Sequence, residues 1–454
     1  MLTIPGTFFL FVWLYSFFKR DVLFFALLLA AIMQGSSAFV LGSINLPVFA
    51  FIQVLIIIRY FVLWLIAKKT KFELPFLIGK IFPLMVFFFL STVIFTLLST
   101  VFFSGIPVLS PKLGIDNQYQ YPQGILALSV SNFAQLMYLF LNISTVLFVA
   151  NYVLTKTNKF NIRRIFWMFF GVTVVLYAYQ YVFLFHGENS TLIDAFFFNN
   201  TSYAISNTQS FSLMPRFSGS FLEPSMAGLF LSSLSASLAV VWFFLAKRER
   251  NNELLMFFIL SFALLLATTS SVGFISFFIV SLLALLVFIW KRWFRSKYQY
   301  FMIFVAVFFT LVIIVTFFKE FEVLFNFALF DKFESDSYIH RSYSNVYSIN
   351  LFFETYGMGV GLGNNRPSSA IFYLLSNIGL VSILLLYIIW RVLKHSISYM
   401  NSVPVLFFLV FTVTVLINMF FAVPDLNLSF LWLSLGFLIG FIDLRILEKR
   451  NDFY

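Results

Sequence analysis

Apolar runs of about 20 residues alternate with short polar breaks along almost the whole chain, the pattern of helices that cross a bilayer. Thirteen spans are predicted, at about 4–18, 21–33, 46–67, 75–103, 125–153, 165–185, 225–246, 253–269, 272–290, 299–317, 369–390, 403–422 and 426–442. The first two are short, and the eighth and ninth are joined only by Ser270 and Ser271. The longest polar interruption lies before the eleventh. It carries His340 and Arg341, then Gly357-x-Gly359-x-Gly361-x-Gly363, then Arg366.

Basic residues sort strongly between alternate loops. Of 29 Lys and Arg, 22 fall in one set of short loops and 6 in the other, while Arg59 lies inside a span. Positive charge is retained on the cytoplasmic side. An odd number of spans then puts the N-terminus outside and the C-terminus inside. Met1 to Phe18 has no early charge and no small-residue cleavage site, so it reads as a retained helix rather than a leader. Three outer segments are long: 104–124, 186–224 and 318–368. Long loops in compact proteins usually carry function. The chain reads as one integral membrane domain, 1–454, with a candidate site formed by the loops at 186–224 and 318–368.

The outer segments also predict short amphipathic helices. A helix from about Ser337 places His340, Ser344 and Tyr347 on one face and Arg341, Asn345 and Ser348 on the next. Val346, Ile349 and Phe353 form an apolar face. Tyr338, Tyr343 and Tyr347 suit the membrane interface.

Positive charge on the outer face invites a reason. Arg216 stands in one long loop, and Arg341 and Arg366 flank the glycine turn. The planar guanidinium fork suits paired phosphate oxygens, so three arginines on one face fit a diphosphate. Taken singly, each also suits a loop carboxylate or a lipid phosphate. Gly359 and Gly361 are candidates for presenting backbone N–H groups to an anion, although a tight turn between packed helices explains them as well. The stretch lacks a Gly-Lys-Ser/Thr ending and a βαβ setting, so it is not a nucleotide loop. Glu223, just before Pro224-Ser225, is a candidate proton acceptor or a helix-start carboxylate. His340 is the alternative base. Tyr338 and Asn345 are candidate sugar ligands. Arg59 is either a buried functional charge or a snorkelling one.

Composition narrows the field. The chain is 61% hydrophobic with a mean hydropathy of +0.97. It has no cysteine, which excludes disulfides, thiolate metal sites and cysteine nucleophiles. The acids show no Asp-x-Asp pattern and the three histidines are scattered, so no metal or other cofactor is expected. The net charge of +11 follows from the cytoplasmic loops and does not call for nucleic acid.

Arg216-x-x-Gly219-x-x-x-Glu223-Pro224-Ser225 at the head of a span resembles a signature of bacterial O-antigen polymerases and ligases, the Wzy/WaaL superfamily. So does Gly-x-Gly-x-Gly followed by a span reading Leu374-Leu-Ser-Asn-Ile-Gly379-Leu380. Thr268-Thr-Ser270-Ser-Val-Gly273 is similar to the family's Thr-x-Ser-Arg turn, with Ser271 where arginine is usual. The motifs cover roughly residues 210–385. The resemblance implies a C-type glycosyltransferase-like fold in the bacterial inner membrane, of about 12–13 helices, with its active site facing the periplasm. It implies metal-independent transfer between undecaprenyl-diphosphate-linked glycans, with Arg216 and Arg341 on the diphosphate and Arg366 as a weaker transfer. It also implies a separate co-polymerase that sets chain length. Ligases typically carry His-Asn eleven residues before the glycine that is Gly379 here. This chain has Ser368-Ser369, which favours polymerase over ligase. A lipid-linked oligosaccharide flippase is the rival from another class, and it predicts charges around a midplane cavity.

Overall fold

A computed structural model describes residues 1–41, 44–67, 76–109, 123–155, 162–186, 190–200, 210–211, 214–244, 252–290 and 336–451. The expected span at 299–317 lies outside them. The helices are α1 (Ile4–Tyr15), α2 (Arg20–Ile32), α3 (Val48–Ala67), α4 (Phe76–Phe102), α5 (Val130–Thr155), α6 (Ile162–His186), α7 (Thr191–Phe197) and α8 (Pro224–Phe244). They continue as α9 (Asn252–Thr268), α10 (Ser271–Trp290), α11 (Asp336–Glu354), α12 (Ala370–Ile378), α13 (Ser382–Ser398), α14 (Val403–Phe421) and α15 (Ser429–Asn451). Among the described residues, eight spans are long and apolar enough to cross a membrane, and α1, α9 and α10 are shorter apolar helices. The molecule is a helical, multi-pass membrane protein.

Two predicted spans differ in detail. The fifth begins at Val130, because Gln123–Ile125 instead pairs as a strand with Pro107–Leu109. The eleventh is broken. Its first helix ends at Gly379, where φ is +56°, and a short 3-10 turn leads into α13.

Burial orders the bundle. The apolar window of α8 is 83% buried and that of α15 is 78%, against 28% for α4, so α8 and α15 form the centre and α4 the rim. Lipid is as apolar as leucine, so helices in a membrane associate through close packing and buried polar contacts. Helix α15 uses Gly436 and Gly440, one turn apart, against α5. A Cβ on Gly436 would lie 2.9 Å from Val149 Cβ, and one on Gly440 2.9 Å from Val153 Cβ. Helix α8 buries Ser232, Ser233, Ser235 and Ser237, and Ser232 Oγ accepts Asn418 Nδ2 of α14 at 3.1 Å. Phenylalanine fills the remaining gaps, as in the stacked Phe408 and Phe437 rings at 4.3 Å.

The two ends of the bundle differ. At one end the connecting segments are tied together. Gly35 N donates to Ser220 O, Ser36 Oγ to Phe196 O, and Ser131 Oγ to Gly363 O. At the other, Asp443 of α15 is buried and accepts the amides of Leu77 and Ile78 at 2.6 and 3.3 Å, capping α4. Gly440→Leu should overpack the α5–α15 seam and cost about 1–3 kcal/mol. A lowered thermal midpoint in detergent, against an unchanged Leu447→Ala control at an exposed position, is the measurement that checks it.

Candidate functional site

The site is built on two loops at the tied end. The first runs from Arg216 to Glu223 into the start of α8. Gln180 of α6, buried in its span, braces it: Oε1 accepts the amides of both Ser218 and Gly219 at 2.9 Å. Phe217 stacks on Tyr177 with centroids 5.7 Å apart. Arg216 reaches the tight turn between α9 and α10. Its Nε lies 3.1 Å from Thr269 Oγ1 and 3.4 Å from Thr268 O. Thr269 holds a left-handed φ of +49°, a strained conformation for a β-branched residue. This is the turn in which Ser271 stands where the resemblance leads one to expect arginine.

The outer two nitrogens of Arg216 have no hydrogen-bond partner among the described residues. The guanidinium is half-buried, and burial pushes its pKa below the ordinary arginine value. Glu223 acts in the opposite direction, and Arg341 adds to the lowering. Three of the sequence candidates are therefore brought within electrostatic reach of one another from separate elements. Glu223 is exposed and accepts Ser225 Oγ at 3.0 Å. Neither Arg216 nor Arg341 closes an ion pair with a carboxylate among the described residues.

The second loop is α11 and the stretch after it. Helix α11 turns Ser344, Ser348 and Leu351 inward. It exposes Ile339, Tyr343, Val346 and Phe353 as an apolar stripe, the face an interfacial helix offers to lipid. The expected stripe included Ile349, which is half-buried instead. His340 and Arg341 are half-buried in the first turns. Asn345 is a strut, its side-chain oxygen accepting Ser368 N at 3.0 Å, and Ser344 Oγ lies 2.9 Å from Ser368 Oγ. The side chain of Tyr338 lies outside the described residues.

The glycine stretch is a backbone buckle. Gly357, Gly359, Gly361 and Gly363 all have φ between +79° and +91°. Their segment crosses the break after α12. Val360 N donates to Ser376 O at 2.7 Å, Gly361 N to Asn377 O at 2.8 Å, and Leu380 N to Gly357 O at 2.9 Å. Gly359 N donates to Thr355 Oγ1 at 3.0 Å. A Cβ on Gly359 would meet Asn377 backbone at 2.8 Å, and one on Gly379 would meet Gly357 O at 2.1 Å. These contacts consume the amides of Gly359 and Gly361 and leave them none for a substrate anion.

Asn365 locks the buckle. Its Nδ2 donates to Ser348 and Ser376 Oγ at 2.8 Å each, and its Oδ1 accepts Leu109 N at 3.2 Å. Asn377 completes the lock by donating to Asn365 O at 2.8 Å. Arg366 then emerges exposed at the surface of the loop.

Arg59 does not join this site. It is buried near the basic end, where its Nη2 donates to Ser16 O at 3.1 Å and its guanidinium lies 5.6 Å from the Phe17 ring centroid. Ser16 is the C-cap of α1, so Arg59 supplies positive charge to a helix C-terminus inside the bundle. Arg59 is thus a buried charge with a structural partner rather than a snorkelling one, and it stands apart from the loops that carry the other candidate substrate contacts.

The sequence reading also passed over Asp425 in the α14–α15 connection, whose carboxylate accepts the Asn427 amide at 2.8 Å. A lone aspartate in a seven-residue connection, 422–428, carries no motif. A polar residue inside an apolar span was the available signal for Gln180.

Fold and site together define a helical multi-pass membrane protein with an arginine-bearing polar site at the end where its long loops meet. No family model, curated protein or solved structure matches the chain.

Asn365→Ala would remove the bonds to two serine hydroxyls and leave the buried Leu109 amide without its side-chain acceptor. It should lower stability by about 1–3 kcal/mol, read as a reduced thermal midpoint in detergent.

Proposed function

We propose that this chain is a polysaccharide polymerase of the O-antigen type, a C-type glycosyltransferase-like enzyme of the bacterial inner membrane with its site on the periplasmic face. Its substrates are undecaprenyl-diphosphate-linked oligosaccharide repeats, as both donor and acceptor. The observation that carries this reading is that Arg341 lies within electrostatic reach of Arg216 from a separate loop, while the outer two nitrogens of Arg216 have no partner among the described residues. Two like charges held together in a partly dehydrated place are unfavourable unless an anion joins them. A diphosphate at the membrane surface supplies that anion. The charge sorting of the loops supports the outer location.

A hydroxyl of the acceptor repeat attacks the anomeric carbon of the donor glycan with inversion and gives up its proton, to Glu223 or His340 or directly to water. The bond from that carbon to the diphosphate oxygen breaks, and its electron pair leaves with undecaprenyl diphosphate. Negative charge grows on the bridging oxygen, and Arg216 and Arg341 stabilise it where fixed charge counts for more than in water. Thr269 and Thr268 aim Arg216 by holding its Nε, which leaves the outer fork for the ligand. Glu223 balances part of the positive charge when the site is empty. Holding both substrates at one membrane surface supplies proximity. A separate co-polymerase sets chain length in this reading.

A strain lacking the chain should accumulate single repeats on the lipid carrier. Full-length polymer left on the carrier would point to ligation instead, and repeats trapped on the cytoplasmic side to a flippase. In complementation, Arg216→Ala and Arg341→Ala should each reduce polymer by about 10²–10³-fold while the protein remains in the membrane, the range for loss of one oxyanion-type donor. Normal-length polymer from both variants rejects the mechanism.

A further inference from the structure

The two ends of α12 differ in how their backbone groups are satisfied. At the C-terminal end the carbonyls find partners: Ser376 O accepts Val360 N at 2.7 Å, and Asn377 O accepts Gly361 N at 2.8 Å. At the N-terminal end the amides of Ala370, Ile371 and Phe372 have no acceptor among the described residues. Tyr373 N opens the helical ladder by donating to Ser369 O at 3.0 Å. Ala370 is buried, and buried backbone N–H groups are almost always paired. The sequence provides nothing local to pair these. No acid stands in the first turn, and Phe372 occupies the position where a capping box has Glu or Gln.

Ser369 is a second, independent sign. It is the N-cap, in the extended conformation usual there, yet its side chain caps none of the three amides. It is only 2% exposed, and its Oγ has no hydrogen-bond partner among the described residues. A serine hydroxyl can donate, so Ser369 and the three amides offer unused donors together at the positive end of the helix dipole. That set suits an anion with several oxygens. Ser368, Ile371 and Phe372 around it are half-buried, so this end is not sealed from the loops. It is also where the membrane-length span Ala370–Ser398 begins. Helix α11 is fastened to the same place. Ser344 Oγ lies 2.9 Å from Ser368 Oγ, and Asn345 Oδ1 accepts Ser368 N at 3.0 Å. Arg341 stands one turn before both residues on that helix.

We propose that the N-terminus of α12, with the Ser369 hydroxyl, is a phosphate-binding cradle for the diphosphate of the lipid-linked substrate, built into the same loop that carries Arg341. This rests on the polymerase reading and names the backbone part of its diphosphate site. Phosphate oxygens accept from the free amides and from Ser369 Oγ, while Arg341 supplies the full charge that backbone dipoles lack. An arginine side chain is long and jointed, whereas amides at the head of a packed helix stay where the helix puts them. The cradle therefore fixes where the phosphate sits. Binding also gives the buried amides the acceptor they lack, so the ligand stabilises the helix that holds it. A phospholipid headgroup and a free diphosphate share this chemistry, and the probes below separate them from the substrate.

The test uses the purified full chain in detergent, with undecaprenyl diphosphate, inorganic diphosphate and phosphatidylglycerol as separate probes read by thermal shift. An unpartnered hydroxyl contributes no bond to the ligand-free fold, so Ser369→Ala should not lower the ligand-free midpoint. It should bind undecaprenyl diphosphate about 10–100-fold more weakly, the loss of one hydrogen bond to a charged group. Ser369→Asp puts a carboxylate on the same amides, so it should raise the ligand-free midpoint and abolish binding. Unchanged undecaprenyl diphosphate binding by Ser369→Ala overturns the proposal. A lowered ligand-free midpoint for that variant does so too, because Ser369 is then an ordinary structural cap. Weakening seen with phosphatidylglycerol or inorganic diphosphate but not with undecaprenyl diphosphate overturns the substrate assignment. A parent that binds undecaprenyl diphosphate through Ser369 but does not elongate lipid-linked repeats overturns the polymerase reading and leaves the cradle standing. A parent that elongates them while Ser369→Ala binds normally overturns the cradle alone.

Discussion

The crossing of two backbone segments, Gly357 to Gly361 over Ser376 to Leu380, is the contact on which the loop end depends. Irregular backbone beside a bilayer must satisfy its own hydrogen bonds inside protein. Here the two segments satisfy each other through Val360, Gly361 and Leu380, at a separation that side chains would prevent. Three things follow from that one crossing. Helix α11 is returned towards the bundle, which brings Arg341 into reach of Arg216. The eleventh span is broken at Gly379 and restarts in a new direction. Arg366 leaves the buckle exposed.

The other half of the site is held by helices rather than by backbone pairing. The turn between α9 and α10 packs on α8 so closely that a Cβ at Gly228 would lie 2.4 Å from Ser270 Cβ. That approach carries Thr269 to Arg216, while Gln180 fixes the following amides from α6. Arg216 is therefore aimed by groups from α6, α9 and the α9–α10 turn, and Arg341 by α11. A cation on one loop alone would pair with a neighbouring carboxylate or with lipid. On separately braced loops the two cations stay within electrostatic reach, so Arg341 adds to the lowering of the Arg216 pKa.

Most of the architecture was legible in the pattern of apolar runs. Span limits differ from helix limits by a few residues in most cases, because a bilayer of fixed thickness imposes a run length that propensity alone does not. Arg216 and Arg341 stood out because positive charge is scarce in the outer loops, and Glu223 because it stands just before Pro224 at the head of a span. The reading of Gly359 and Gly361 was less informative. Alternating glycines announce positive φ or close approach, but whether their amides face a ligand or another strand of chain is a tertiary fact. Arg59 shows the same limit. Its position inside a span was plain, while its partner, the C-terminus of α1, lies 43 residues away in sequence.

The sequence by itself determined that this is a helical membrane protein, where its spans fall, and how its charges divide between the two sides. Those properties follow from local transfer free energy and charge, which each segment carries alone. Tertiary structure decided which polar residues meet. Arg216 and Arg341 are separated by more than a hundred residues, and Asn365 meets the Leu109 amide across 256. The glycine stretch that looked like an anion loop became a hinge-pin of backbone hydrogen bonds. The physical reason is that electrostatic reach and hydrogen-bond satisfaction depend on distance in space, which the helix packing sets and the linear pattern does not contain.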